Sequence, residues 1–111
     1  MNALVTNPLV SIVIPVYNRE LYIEDAIKSA ISQTYQNIEI IIVDNCSTDL
    51  TWSILNTWAS KDHRIKIYQN KTNIGPVLNW NECFKHASGE YIKILWSDDW
   101  MALDFIRSEE H

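Results

Sequence analysis

The run Val10-Ser11-Ile12-Val13-Ile14-Pro15-Val16 constrains the fold more than any other stretch of the chain. It is rich in β-branched residues, apolar at consecutive positions and broken by a proline near its end, which is the pattern of a strand covered on both faces, as in a parallel sheet. Such a sheet needs helices on its faces, and the next segment supplies one. Ile23, Ala26, Ile27, Ala30 and Ile31 recur at helical spacing and form one apolar stripe, while Glu24, Asp25 and Lys28 fall on the wet side.

The alternation continues. A second apolar run, Ile38–Val43, ends in the polar cluster Asp44-Asn45-Cys46-Ser47-Thr48-Asp49, in which Ser47, Thr48 or Asp49 can cap a shorter helix carrying Ile54, Leu55, Trp58 and Ala59. A third strand, Ile65–Gln69, alternates polar with apolar and belongs near an edge of the sheet. After a loop from Asn70 to Pro76, a helical stretch places Val77, Trp80, Cys83, Phe84 and Ala87 on one side, with Gly89 as its stop signal. The fourth strand, Tyr91–Trp96, runs directly into Ser97-Asp98-Asp99.

The order β-α-β-α-β-α-β predicts right-handed crossovers and an α/β fold in which helices cover both faces of a mainly parallel, twisted sheet. Ligands of such sheets bind at the carboxyl ends of the strands. The polar clusters expected there are Tyr17-Asn18-Arg19-Glu20, Asp44-Asn45 and Asp98-Asp99.

Composition narrows the chemistry. At 111 residues the chain has room for one small domain. A net charge of -5 and a pI near 5.0 argue against nucleic acid as a partner, because phosphate backbones are held by clustered cations. With two glycines in the whole chain there is neither a G-x-G-x-x-G fingerprint nor a G-x-x-x-x-G-K-[ST] loop, so phosphate has to be held by another device. Cys46 and Cys83 stand far apart without metal-ligand spacing, which suits a reduced, cytoplasmic setting. His63, His86 and His111 have no partner spacing and are expected to face solvent. The amino terminus lacks a basic, apolar leader, and no apolar run approaches the length of a membrane span; peripheral contact at the inner face of the membrane stays compatible with that.

Two readings exist for each candidate group. Asp98 and Asp99 are adjacent acids whose repulsion a hard divalent cation would relieve, or they form a solvated turn capping a helix over Trp100–Ile106. Asp44 and Asn45 can accept from a base N–H or a ribose hydroxyl, or make Asx turns after a strand. Tyr17 can meet a base or simply pack. Among the five tryptophans, Trp52, Trp58 and Trp80 sit at helical spacing and read as core, whereas Trp96 and Trp100 flank the acidic pair, with burial expected for Trp96.

The segments Val10–Asn18, Ser32-Gln33-Thr34-Tyr35, Val43–Asp49, Asn73-Ile74-Gly75, Ala87–Ile92 and Ser97-Asp98-Asp99 together resemble the family 2 glycosyltransferases of the GT-A fold, in one collinear order over residues 9 to 103. The resemblance implies a Rossmann-like three-layer GT-A fold with residues 1–8 as an extension and 9–111 as the donor-binding part. The acceptor-binding part and its general base are expected downstream of residue 111, so the fold is truncated. It implies inverting transfer of a sugar from a nucleotide-diphosphate donor, a UDP-sugar first of all, to an acceptor hydroxyl on a glycan, lipid or protein, in polysaccharide or cell-surface glycan synthesis.

Carried over by position, Pro15, Val16, Tyr17, Asn18, Glu20, Asp44, Asn45, Ser97 and Asp98 would bind the nucleotide sugar, with Arg19 or Glu20 at the mouth of the pocket, and Asp98 and Asp99 would hold Mg2+ or Mn2+. Two positions depart from the family pattern: Trp96 stands where many members carry the first acid of an Asp-x-Asp motif, and Asn45 where many carry Asp. Little or no turnover is expected of the 111 residues alone, and self-association through apolar surface near Leu103, Phe105 and Ile106 is compatible with a severed domain edge. The competing readings are a non-catalytic nucleotide-binding or protein-interaction module that keeps the fold, and a nucleotidyltransferase, which would want the glycine-rich basic loop this chain lacks.

Overall fold

Every strand pair in the computed structural model, which describes residues 7–96, is parallel. The elements are β1 (Val10–Val16), α1 (Ile23–Ile31), β2 (Ile38–Asp44), α2 (Thr51–Lys61), β3 (Ile65–Gln69), α3 (Pro76–His86) and β4 (Tyr91–Ile94). The four strands lie in the order β3-β2-β1-β4. Register pairs Val16 with Asp44 and Asp44 with Gln69, so β1, β2 and β3 end on one level, while β4 ends earlier, with Ile94 opposite Val13.

This order explains the layers. The chain steps from β1 to β2 to β3 in one direction and then returns past β1 to place β4 on its other side, so right-handed crossovers send α1 and α2 to one face and α3 to the opposite face. Side-chain parity agrees. Val10, Ile12, Ile14 and Val16, with Ile38, Ile40 and Ile42, pack against Ile23, Ala26, Ile27 and Ala30 of α1 and Leu55 of α2. Val13, Ile41 and Val43 meet Cys83 of α3, with Tyr68, Ala87 and Ile94 against them. β1 and β2 are buried along their whole length, whereas β3 buries Ile65 and exposes Lys66, as an edge strand does.

Several local expectations change. The buried side of α3 is formed by Asn79 and Cys83; Val77 is 67% exposed, and Trp80 and Phe84 meet edge to face at 5.3 Å on the flank. Gly75, in the left-handed region at φ 86°, and Pro76 at the first turn set the phase of this helix. Gly89 is no helix stop: α3 ends at His86 with an extended Ala87 as its cap. Its smallness serves a close approach, since a Cβ there would lie 2.7 Å from the Leu9 carbonyl oxygen and from Ser11 Oγ. At α2, Asp49 alone of the three capping candidates reaches the first turn, its Oδ1 accepting from the Thr51 N–H at 2.9 Å. His63 is exposed as expected, but His86 stacks on Tyr68 with centroids 3.6 Å apart, because the end of α3 lies over the edge strand. Both cysteines are free, and burial pushes the Cys83 thiol up to about 12.

A polar pin ties the α3 face together near the amino ends of β1 and β2. Glu39, 3% exposed, accepts from Ser11 Oγ at 2.6 Å, from the Ser88 N–H at 2.6 Å and from Lys66 Nζ at 3.0 Å. Burial alone would raise its pKa, but these donors, led by the Ser11 hydroxyl, overcome it and hold the carboxyl at about 2. Among the described residues no helix is long and apolar enough to cross a membrane.

Candidate functional site

The parity that buries Val13, Val43 and Ile94 under α3 continues past the strand tips, and there it lines a cleft instead of a core. Pro15 and Tyr17 follow Val13, Asn45 follows Val43, and Trp96 follows Ile94. Val16, Arg19, Asn73, Pro76 and Asn79 complete the lining of a cleft of about 390 Å³, within the range of small-molecule sites. It opens beyond the carboxyl ends of the neighbouring strands β1 and β4, where the direction of winding reverses, which is the position open α/β sheets use for ligands.

Asparagine amides build one wall. Asn45, 3% exposed, donates through Nδ2 to Asn73 Oδ1 at 2.8 Å and accepts at Oδ1 from the Ile74 N–H at 2.9 Å and from Asn70 Nδ2 at 3.0 Å. Asn70 Nδ2 also donates to Asn79 Oδ1 at 2.8 Å, and Asn79 Nδ2 donates to the Val43 carbonyl at 3.1 Å. The loop between β3 and α3 is thereby fastened to the end of β2 by side-chain amides, which satisfy groups that burial would otherwise strand.

A second set of bonds fixes the loop after β1. The N–H groups of Asn18, Arg19 and Glu20 donate to Ser47 Oγ, Thr51 Oγ1 and Asp49 Oδ2 at 2.8, 2.9 and 3.2 Å. In return Asn18 Oδ1 accepts from the Thr48 N–H at 2.8 Å. Asn18 sits at φ 51° and Cys46 at φ 64°, left-handed conformations held in place by this interlock. Bonds from Thr51 and Glu20 outweigh burial at Asp49 and lower its pKa, so it accepts as a carboxylate.

Of the residues expected at the site, Pro15, Val16, Tyr17, Arg19 and Asn45 line the cleft. Asn18 and Glu20 instead hold the rim through their bonds to the loop after β2. Asp44 is fully buried, and its carboxylate accepts from the Ser47 hydroxyl and from Gln69 Nε2 at 3.1 Å, turned into the sheet edge. Trp96, expected to be buried, is 49% exposed and forms part of the lining. It lies two residues beyond the end of β4 and one beyond the buried Leu95.

Asn73, Pro76 and Asn79 were not expected here; helical spacing sets Asn79 off the apolar side read for α3, and only its bonds to Val43 and Asn70 turn it inward. Ser97, Asp98 and Asp99 lie outside the described residues. Among the described residues there is no group of three or more His, Cys, Asp or Glu that could hold a metal ion, and the named lining of the cleft carries one cation, Arg19, and no carboxylate.

Comparison with known proteins gives this geometry a context. Residues 11–108 match Glycosyl transferase family 2. An uncharacterized glycosyltransferase of Haemophilus influenzae is 43% identical over 102 residues, covering 92% of this chain and 41% of that protein. The UDP-Glc:alpha-D-GlcNAc-diphosphoundecaprenol beta-1,3-glucosyltransferase WfaP of Escherichia coli is 45% identical, covering 93% and 40%. Among solved structures, S. aureus TarS 1-349 in complex with UDP-GlcNAc superposes with a TM-score of 0.84 at 32% identity, over 91% of this chain and 30% of that one. The mannosyltransferase PcManGT from Pyrobaculum calidifontis in complex with GDP-Man and Mn2+ gives 0.83 at 28%, over 91% and 31%. The chain thus spans well under half the length of these relatives.

Proposed function

The chain belongs to glycosyl transferase family 2 and has the α/β fold of GT-A glycosyltransferases, and from that premise we propose that it is the donor-binding part of an inverting sugar transferase. The observation that carries the reading is the cleft itself. Its place at the strand tips, its aromatic and amide lining and its single guanidinium suit a ring system bearing an anionic tail, which is the chemistry of a nucleotide-diphosphate sugar. A UDP-sugar is the first donor to try, because a superposable relative is in complex with UDP-GlcNAc.

Each side chain has a part in that reading. Pro15, Val16 and Tyr17 receive the nucleoside, with Asn18 and Glu20 holding their loop in shape. Arg19 Nη1 is spent on the carbonyls of Tyr17 and Asn18, both at 3.2 Å, which aims the remaining guanidinium donors along the rim. Asp44 and Asn45 set the end of β2, Asn45 through an amide bonded at both ends to the loop between β3 and α3, which shapes the cleft wall.

Divalent metal use rests on Ser97-Asp98-Asp99, which continues directly from the lining residue Trp96. Two adjacent carboxylates are oxygen donors of the kind Mg2+ or Mn2+ take, and a relative's structure contains Mn2+. Bound there, the ion would offset the charge of the pyrophosphate leaving group. The acceptor site and the base that deprotonates its hydroxyl belong to sequence the relatives have beyond this span, so little turnover is expected of these residues alone. Relatives with names in teichuronic acid biosynthesis and diphosphoundecaprenol glycosylation support a role in cell-surface glycan synthesis.

A second reading has one observation in its favour. Trp96 occupies the place of an acid in many members, so the fold could serve as a nucleotide-binding module without metal or turnover. Calorimetric titration of UDP with and without Mn2+ separates the two. Binding that requires Mn2+ and is lost in Asp98→Ala supports the transferase; binding indifferent to both supports the module; no binding of UDP or GDP under either condition sinks both.

A further inference from the structure

Resting on the donor-binding reading, we infer that the Trp96 indole is a platform on which the nucleoside of the donor packs. Trp52 and Trp58 are half-buried against the core, and Trp80 pairs with Phe84 on α3. Trp96 alone among the described tryptophans is exposed, at 49%, and it lines the cleft. An indole half open to water gains from any flat apolar face that covers it.

Register places the partner surface. Val13 pairs with Ile94 at the end of β4, and two residues further along each chain segment Pro15 and Trp96 both line the cleft, as does Tyr17, 38% exposed. The tips of β1 and β4 therefore offer two aromatic rings to one ligand. The amides of the opposite wall are engaged with each other, Asn45 with Asn73 and Asn70, so the ring faces are the freest recognition surface in the lining. An indole cannot accept a hydrogen bond or hold a cation as a carboxylate at this position would. Its contribution therefore acts on the nucleoside itself, and it is the same with or without a divalent ion.

The test titrates the chain, Trp96→Phe and Trp96→Ala with uridine, UDP and UDP-GlcNAc, and with guanosine and GDP, in EDTA and in Mn2+. Affinity is read by calorimetry, and the indole N–H resonance of Trp96, assigned by its loss in Trp96→Phe, is followed by NMR. For whichever nucleoside binds, the Trp96 resonance is expected to shift. Trp96→Ala should weaken nucleoside and nucleotide about tenfold by the same factor in EDTA and Mn2+, and Trp96→Phe should retain most of the affinity. Unchanged melting of both variants shows that the fold persists.

Wild-type affinity for nucleoside and UDP in Trp96→Ala overturns the inference while leaving the donor-binding reading standing. So does a loss confined to UDP-GlcNAc, which would assign the ring to the sugar. Failure of the unaltered chain to bind any of these ligands removes the donor-binding reading, and the inference with it.

Discussion

The Ser11 hydroxyl donates to the Glu39 carboxylate at 2.6 Å across β1 and β2, and the same oxygen accepts from the Gly89 N–H at 2.8 Å. Through this contact the turn that leads into β4 is anchored to the centre of the sheet, at the end away from the cleft. Ser88 and Lys66 close the ring around Glu39.

Acid should unfasten that pin. Glu39 has a folded pKa of about 2 against an ordinary value of 4.5, so its contribution is fully present above pH 5 and is lost as pH falls toward 2. The difference corresponds to about 3 kcal/mol. Urea unfolding at a series of pH values should show stability falling through this window, and Glu39→Gln should be less stable at pH 6 with a shallower acid limb. An unchanged acid limb in Glu39→Gln would count against the assignment.

Alanine should cost stability at both glycines, for different reasons. Gly89→Ala pushes a methyl group against Leu9 and Ser11 and is expected to cost about 1–3 kcal/mol, through overpacking at a backbone crossing. Gly75→Ala meets no atom within 4 Å, and its cost of about 1–3 kcal/mol comes from the backbone alone, since φ 86° with ψ 160° is a conformation essentially restricted to glycine. Denaturant midpoints of the two variants give the comparison. A Gly89→Ala protein as stable as the parent would contradict the close approach.

Removing Asn70 should loosen the cleft wall from behind. Asn70→Ala strips a donor from both Asn45 and Asn79, at an expected cost of about 1–3 kcal/mol, and Asn70→Asp should be worse because it sets a carboxylate against their oxygens. Hydrogen exchange at the Ile74 amide, which bonds to Asn45, should accelerate in both variants. Protection equal to the parent's would show that the loop is held by other means.

Arg19 should matter for the charged part of a ligand. Arg19→Gln is expected to weaken UDP by about three- to tenfold and uridine hardly at all, with a smaller salt dependence in the variant. Equal losses for both ligands would place the guanidinium at the base.

Strand identity is readable along the chain because it depends on local composition: a buried parallel strand must be apolar at consecutive positions, and Val10–Val16 and Ile38–Asp44 are such runs. The same holds for the stripe of α1 and for the edge position of β3, where alternation reports one wet face. Periodicity misplaced the inner face of α3, because Asn79 is buried by bonds to Val43 and Asn70 that no hydropathy pattern contains. Gly89 looked like a helix stop for the same reason, its neighbour being β1 and not its own helix.

The cleft follows that division. Pro15, Val16, Tyr17 and Asn45 could be placed at strand ends from the linear pattern, whereas Asn73, Pro76, Asn79 and the open side of Trp96 depend on β4 lying beside β1 and on α3 crossing the opposite face from α1 and α2. Hydrophobic pattern is a property of each segment against water, and it specifies which segments become strands and helices. Which polar groups meet is a property of pairs far apart in the chain, and it exists only once strand order and register bring them within hydrogen-bonding distance.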